Sequence, residues 1–154
     1  MIVDISRLPE EGAMYEGDES CAELGFEDDG LVRFSEPVHY ALHVSLVSDE
    51  LVVKGEVSMN AAFACSRCSE FTPLFIEEPS FLQAIELDSE TQSVDLTADV
   101  REAMLLLFPA YPLCSVECKG LCPQCGINYN EKSCKCKKPA DGRWSTLNDL
   151  ELEE

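Results

Sequence analysis

Between Pro37 and Ala64 apolar and polar positions alternate with the two-residue period of a half-buried strand. Val38, Tyr40, Leu42, Val44 and Leu46 share one face, and His39, Ala41, His43 and Ser45 share the other. After Ser48-Asp49-Glu50, Val53, Val57, Met59, Ala61 and Phe63 fall on one side, and Lys54, Glu56, Ser58 and Asn60 on the opposite side. Alternation on both sides of a polar turn predicts an antiparallel hairpin over residues 37–64. A third strand is expected from about Phe71. There Pro73 lacks an amide donor and restricts the strand to an edge or a bulge, and Phe75, Phe81 and Ile85 continue the apolar face. Ile2, Val3 and Ile5 predict a short opening strand, whereas residues 9–30 and 86–95 are acidic and read as loops.

The period changes at Leu96, Val100, Ala103, Met104 and Leu107, whose spacing predicts a helix over 97–108. Asp95 or Thr97 is available as N-cap, and Asp99 lies in the favourable first turn. Pro109 ends the helix, and Pro112 keeps the chain extended into Cys114. Trp144, Leu147 and Leu150 predict a short C-terminal helix. The pattern as a whole describes an α+β protein in which an antiparallel β-sheet, open or barrel-like, packs with one main helix, and the close cysteine pairs beyond Leu113 make its C-terminal module zinc-ribbon-like. The expected divisions are a body at 1–113, a cysteine module at 114–140, and a short helix and tail at 141–154.

The cysteines add chemistry to this frame. Six of the nine fall between Cys114 and Cys136, and eight of the nine form the close pairs 65/68, 114/118, 122/125 and 134/136. Two thiolates spaced two or three positions apart on a tight turn can fill two corners of one tetrahedron, as in zinc ribbons. The simplest partition joins Cys122, Cys125, Cys134 and Cys136 in one site across a polar hairpin. Cys65, Cys68, Cys114 and Cys118 are then left for a second site, which would close a loop of roughly 45 residues. Joining 114/118 to 122/125 remains an alternative, with only three residues between the pairs. One or two structural zinc ions are expected. A site with four thiolates leaves no open position for substrate or water, so the metal would fold the chain and perform no chemistry. Cys65-Ser-Arg-Cys68 as a redox dithiol is a weaker reading, because no helical pattern follows it.

The formal charge of −19 argues against a simple grip on bare nucleic acid. Residues 1–113 hold 23 acidic against 5 basic side chains, while Lys119, Lys132, Lys135, Lys137, Lys138 and Arg143 collect on the cysteine module. These cations, with Arg67, read as a solvated basic face, with contact to RNA phosphate or a partner protein as the sharper alternative. His39 and His43 read as surface residues of a strand, and Cys21 as a free or packing thiol. The longest apolar run, Ala103 to Phe108, is six residues. That is far below the roughly 20 of a membrane helix. No basic and apolar leader opens the chain, so a cytoplasmic location is expected, and thiols there are metal ligands more often than disulfides. No nucleophile turn, phosphate loop or isolated carboxylate pair points to an enzyme or a small-molecule substrate.

Cys65-Ser-Arg-Cys68 is followed by Asp95-Leu-Thr, then by Val100-Arg101-Glu102 and the leucines leading to Pro109. Cys114, the run Cys118-Lys-Gly-Leu-Cys122-Pro-Gln-Cys125-Gly-Ile-Asn128-Tyr-Asn130 and Cys134-Lys-Cys136 complete the order. This string resembles the YceD family of large ribosomal RNA subunit accumulation proteins. Ser69 and Gly142 depart from the family's usual residues, and neither is a proposed ligand. The resemblance implies a bacterial or plastid protein that supports large-subunit ribosomal RNA accumulation and ribosome assembly without a catalytic activity. Its partners would be the large-subunit precursor, ribosomal RNA or ribosomal proteins. The alternative class is a zinc-ribbon adaptor in transcription or proteostasis.

Overall fold

A computed structural model of the chain describes residues 1–88 and 90–136. Strand β1 (Ile2–Asp4) leads into one 3-10 turn at Ile5–Arg7, followed by β2 (Ala13–Glu19), β3 (Val32–Phe34), β4 (Val38–Val47), β5 (Glu50–Ala64), β6 (Phe71–Glu86) and β7 (Ser93–Asp95). Helix α1 (Thr97–Leu106) comes last. By contacts the chain divides into two compact units, residues 1–118 and the residues from Lys119 onward. All named elements lie in the first unit.

The alternating stretch forms the hairpin that its pattern predicts, with Val47 opposite Glu50 and the two-residue turn Ser48-Asp49 between them. β4 takes residues 50–58 of β5, β3 takes residues 61–63, and β6 runs along the length of β5. β2 pairs with β4 from Ala13 opposite Val44 to Glu19 opposite Val38. No pairing joins β2 to β6 among the described residues, so this five-stranded sheet is open, and β1 and β7 form a separate two-stranded ribbon.

Three expectations are corrected. Residues 9–30 are not all loop, because β2 adds a strand there and Leu24 and Phe26 are buried in the core. The inward positions of β2 are Ala13, Tyr15, Gly17 and Glu19, so only one large apolar side chain announces the strand. Residues 93–95 of the acidic stretch likewise form β7, held by its pairing with β1.

The third correction is one of parity on β6. Gly55 is opposite Phe81, but Val57 is opposite Glu78, so β6 carries one extra residue around Pro79-Ser80. A bulge of one residue swaps the faces of the strand on either side of it. Ile76 and Phe81 therefore both point into the core, while Phe75 is 57% exposed. Opposite the bulge Gly55 has φ 157°, and a Cβ there would be 2.0 Å from the Ala41 carbonyl oxygen. Only glycine allows β4 and β5 to approach so closely. Pro73 is tolerated for a reason the ladder supplies. Cys65 N donates to Glu70 O at 2.9 Å, and the alternation from that pair turns the Pro73 nitrogen away from β5, where no donor is required.

Leu96, Val100 and Met104 of the α1 segment are fully buried together with Val3, Val38, Leu42, Val44, Val53 and Val57. The helix ends two residues before the expected 108. Leu107 N and Phe108 N bond three residues back, to Met104 O and Leu105 O. The cap position is Leu96, without a side-chain bond, and Asp95 acts one residue earlier by accepting from Thr97 N at 3.0 Å. Phe108 then packs edge-on against Phe63 at 5.1 Å between ring centroids, and Phe26 and Phe34 complete the aromatic cluster. Phe63 lies two residues before Cys65, so this contact anchors the chain after the helix near the C-x-x-C turn. Among the described residues no helix is long and apolar enough to cross a membrane. The expected helix and tail at 141–154 lie outside the described residues.

Candidate metal centres

The β5–β6 connection is the turn Cys65-Ser66-Arg67-Cys68-Ser69. Ser69 N donates to Cys65 O at 2.8 Å, and Ser69 adopts φ 61°. These bonds fold both thiols to one side of the hairpin end, where they meet Cys114 and Cys118. Cys65 Sγ is 3.8 Å from Cys118 Sγ, and Cys68 Sγ is 3.6 Å from Cys114 Sγ. Around a tetrahedral ion with metal–sulfur bonds of about 2.3 Å, sulfurs lie about 3.8 Å apart, whereas a disulfide brings them to about 2.05 Å. The spacing fits ligation. Cys65, Cys68 and Cys118 are buried, and Cys114 is the exposed member.

Arg67, read from sequence as a solvated cation, instead ties the two halves of this site together. Its Nη1 donates to Val116 O and to Cys118 O, each at 3.0 Å. Ser66 N donates to Pro112 O at 2.8 Å, a second tie across the same gap. No pattern in the sequence singles out Arg67 except its place between two cysteines.

In the second unit Cys122, Cys125, Cys134 and Cys136 also gather, with all their sulfurs within 4.8 Å of one another, as in the first quartet. The turn repeats the same construction. Gly126 N donates to Cys122 O at 2.9 Å, Cys122 N donates to Ile127 O at 2.8 Å, and Gly126 has φ 71°. A short antiparallel bridge between Leu121 and Asn128 closes the hairpin. Tyr129 N bonds to Gly120 O at 2.9 Å, and the Tyr129 hydroxyl lies 3.5 Å from Cys134 Sγ. Only Cys122 is buried in this quartet.

The thiol chemistry points the same way in both groups. Burial pushes Cys65 up, but backbone N–H groups of Cys114, Arg67 and Cys68 outweigh it and bring the thiol down to about 6. The Tyr129 hydroxyl, with the backbone N–H groups of Cys125 and Gln124, brings Cys122 down to about 6. Cys114 is pushed up to about 12 by its bonds to Cys118 and Cys68, and Cys136 to about 12 by Cys125 and Cys134. Each group thus has one thiolate that forms readily and one thiol that resists ionisation beside its neighbours. A divalent cation relieves that repulsion, and soft thiolates suit zinc among such ions. The donor set fits.

Lys119, Lys132 and Lys135 are exposed in the second unit, while Lys137, Lys138 and Arg143 lie outside the described residues. His39 sits on β4 with its Nδ1 against the Asp18 carboxylate of β2. The Cys65–Cys68 turn opens into strand β6 and not into a helix. It therefore lacks the helix N-terminus of redox dithiols, and the N–H groups that lower the Cys65 thiol come from the turn and from Cys114 instead. Cys21 donates to Glu36 O at 3.0 Å, apart from both quartets.

The chain is 29% identical to an uncharacterized protein of Mycobacterium tuberculosis, over 97% of this chain and 81% of that relative. It is 26% identical to an uncharacterized protein of Mycobacterium leprae, over 85% of this chain and 66% of the relative. A shorter stretch, 40% of this chain and 19% of the relative, is 29% identical to the chloroplastic large ribosomal RNA subunit accumulation protein YCED homolog 1 of Arabidopsis thaliana. No solved structure matches. Residues 53–151 match the family described as large ribosomal RNA subunit accumulation protein YceD, a span that takes in both quartets. The chain belongs to the YceD family.

Proposed function

We propose that this protein is a non-enzymatic factor that supports accumulation of large-subunit ribosomal RNA during ribosome assembly, with one structural zinc ion in each cysteine quartet. The observation that carries the reading is the match over residues 53–151 to a family described by that role. The quartets support its non-catalytic part, since four thiols gathered within 4.8 Å supply a complete tetrahedral donor set. When bound, the ion supplies the positive charge that holds four thiolates together. The residues do the rest. Cys65 and Cys68 fix the end of the β5–β6 hairpin, Cys114 and Cys118 fix the segment after α1, and Arg67 holds the carbonyls of that segment.

The charge pattern divides the contacts. The lysines near the second quartet suit ribosomal RNA or a ribosomal protein, while the acidic body suits basic ribosomal proteins. Sedimentation of the zinc-loaded chain with large-subunit precursor particles tests the reading. Co-sedimentation that weakens with rising salt is expected. Free migration at low salt with zinc retained would overturn it.

A further inference from the structure

β6 is an edge strand: among the described residues its only paired neighbour is β5. Leu87 N donates to Asp49 O at 2.9 Å, which makes Asp49 and Leu87 a hydrogen-bonded pair of the ladder. Alternation along an antiparallel ladder then turns the main-chain N–H and C=O groups of Leu82, Ala84 and Glu86 away from β5. On the N-terminal side this stretch is bounded by the bulge, where Pro79 has no N–H and Ser80 N is occupied by the Glu78 carboxylate at 3.0 Å. An edge of this kind is a template for another strand.

Beside it runs a groove of about 380 Å³ between β6 and α1, lined by Leu82, Gln83, Asp99, Glu102, Leu106 and Leu107 among others. Leu82 is 66% exposed and Leu106 79% exposed, so two large apolar side chains stand in solvent next to the open edge. Glu78, Asp99 and Glu102 supply negative charge, and among the described residues no Lys or Arg lines the groove.

We propose that this edge and groove bind an extended basic segment of a partner protein, which adds to β6 as a further strand. Its main chain pairs with Leu82, Ala84 and Glu86, its apolar side chains fall on the outer face beside Leu82, and its cations fall on the α1 face, where their stems cover Leu106 and their charges face Asp99 and Glu102. This is strand addition, in which the main chain gives affinity and alternate side chains give selectivity. Charge selects the occupant. A second copy of this chain would set acidic groups of one edge against those of the other, in a protein of formal charge −19, and nucleic acid would meet the same repulsion. The inference deepens the ribosomal reading by naming where the acidic body grips a basic protein, while the binding event itself can be measured without ribosomes.

The test uses the full zinc-loaded chain and a labelled peptide that alternates Lys or Arg with Val, with a control that has Glu at the basic positions. The basic peptide should bind and slow amide exchange at Leu82, Ala84 and Glu86, and the Glu peptide should not. Ala84→Pro removes an outward N–H without touching the ladder to β5 and should weaken binding about tenfold or more, the scale of one or two lost hydrogen bonds. Leu106→Lys, at a solvent-exposed helix position, should weaken it similarly and serves if the proline variant does not fold. Equal binding of both peptides, parent-like affinity of Leu106→Lys, or an edge-to-edge dimer that Leu106→Lys disrupts would each overturn the proposal. If the peptide binds as stated but the parent chain fails to co-sediment with precursor particles, the ribosomal reading falls and the groove stands. If the parent co-sediments but the peptide arm fails, the reverse holds.

Discussion

The two C-x-x-C turns are built from the same hydrogen bonds and serve different ends. In both, the residue after the second cysteine has positive φ, Ser69 at 61° and Gly126 at 71°, and donates to the carbonyl of the first. In both, the first cysteine's N–H bonds to the carbonyl five residues on, Glu70 O or Ile127 O. The difference lies in what the other two sulfurs bring. Cys118 is 53 residues from Cys65 and Cys114 is 46 from Cys68, so the first quartet gathers thiols from distant parts of the chain. The second quartet spans only residues 122 to 136. With the proposed ions bound, one local motif acts as a tertiary staple when a buried sheet presents it, and as the nucleus of a small unit when little else surrounds it.

Removing one ligand from each quartet gives the sharpest break. On the proposal of one ion in each quartet, Cys118→Ser should lower the metal content from two ions to one per chain by native mass spectrometry. It should also destabilise the first unit by about 4 kcal/mol, the chain entropy of closing a loop of that length with a covalent cross-link. Cys134→Ser should cost the same single ion yet leave the denaturation midpoint of residues 1–118 almost unchanged. Equal losses in the first unit from the two variants would erase the distinction. A chelator titration sharpens it: amide exchange should rise first around residues 119–136, where three of four thiols are not buried, and later at Cys65 and Cys68.

Arg67→Ala comes next in size. It deletes the donor shared by Val116 O and Cys118 O. The expected cost is about 1–2 kcal/mol in chemical denaturation, since the donor is charged and only partly shielded from water. Retention of both metal ions would mark its role as holding the segment rather than the cation. The smallest effect belongs to the turn residues. Ser69→Gly should stabilise the first unit, and Gly126→Ser should weaken the second, each by about 1 kcal/mol or less, because φ near 60° is costly for a side chain with Cβ. Shifts of opposite sign to these would show that the two turns are not equivalent after all.

Spacing made the thiols legible because chelation is local: 65/68, 114/118, 122/125 and 134/136 are each close in sequence, and the structure gathers them in two fours. The β4–β5 hairpin was legible for a similar reason, since its alternation is unbroken on both strands. What sequence hid depends on neighbours. β2 forms because the Val38–Val44 stretch of β4 offers it an edge, and not because its own residues insist on a strand. Phe75 read as a core residue and proves exposed because a bulge four residues later resets which side of β6 is inward. Arg67 became a structural tie only because residues 114–118 arrive beside it.

Strand β5 runs for fifteen residues from Glu50 to Ala64, a contour of about 50 Å at ordinary strand rise. Its far terminus runs straight into the first cysteine quartet, and its near terminus is the Ser48-Asp49 tip. Spectroscopic labels placed just beyond the two extremities would make this single element a ruler, on which any ligand that bends or straightens the sheet registers as a change in length.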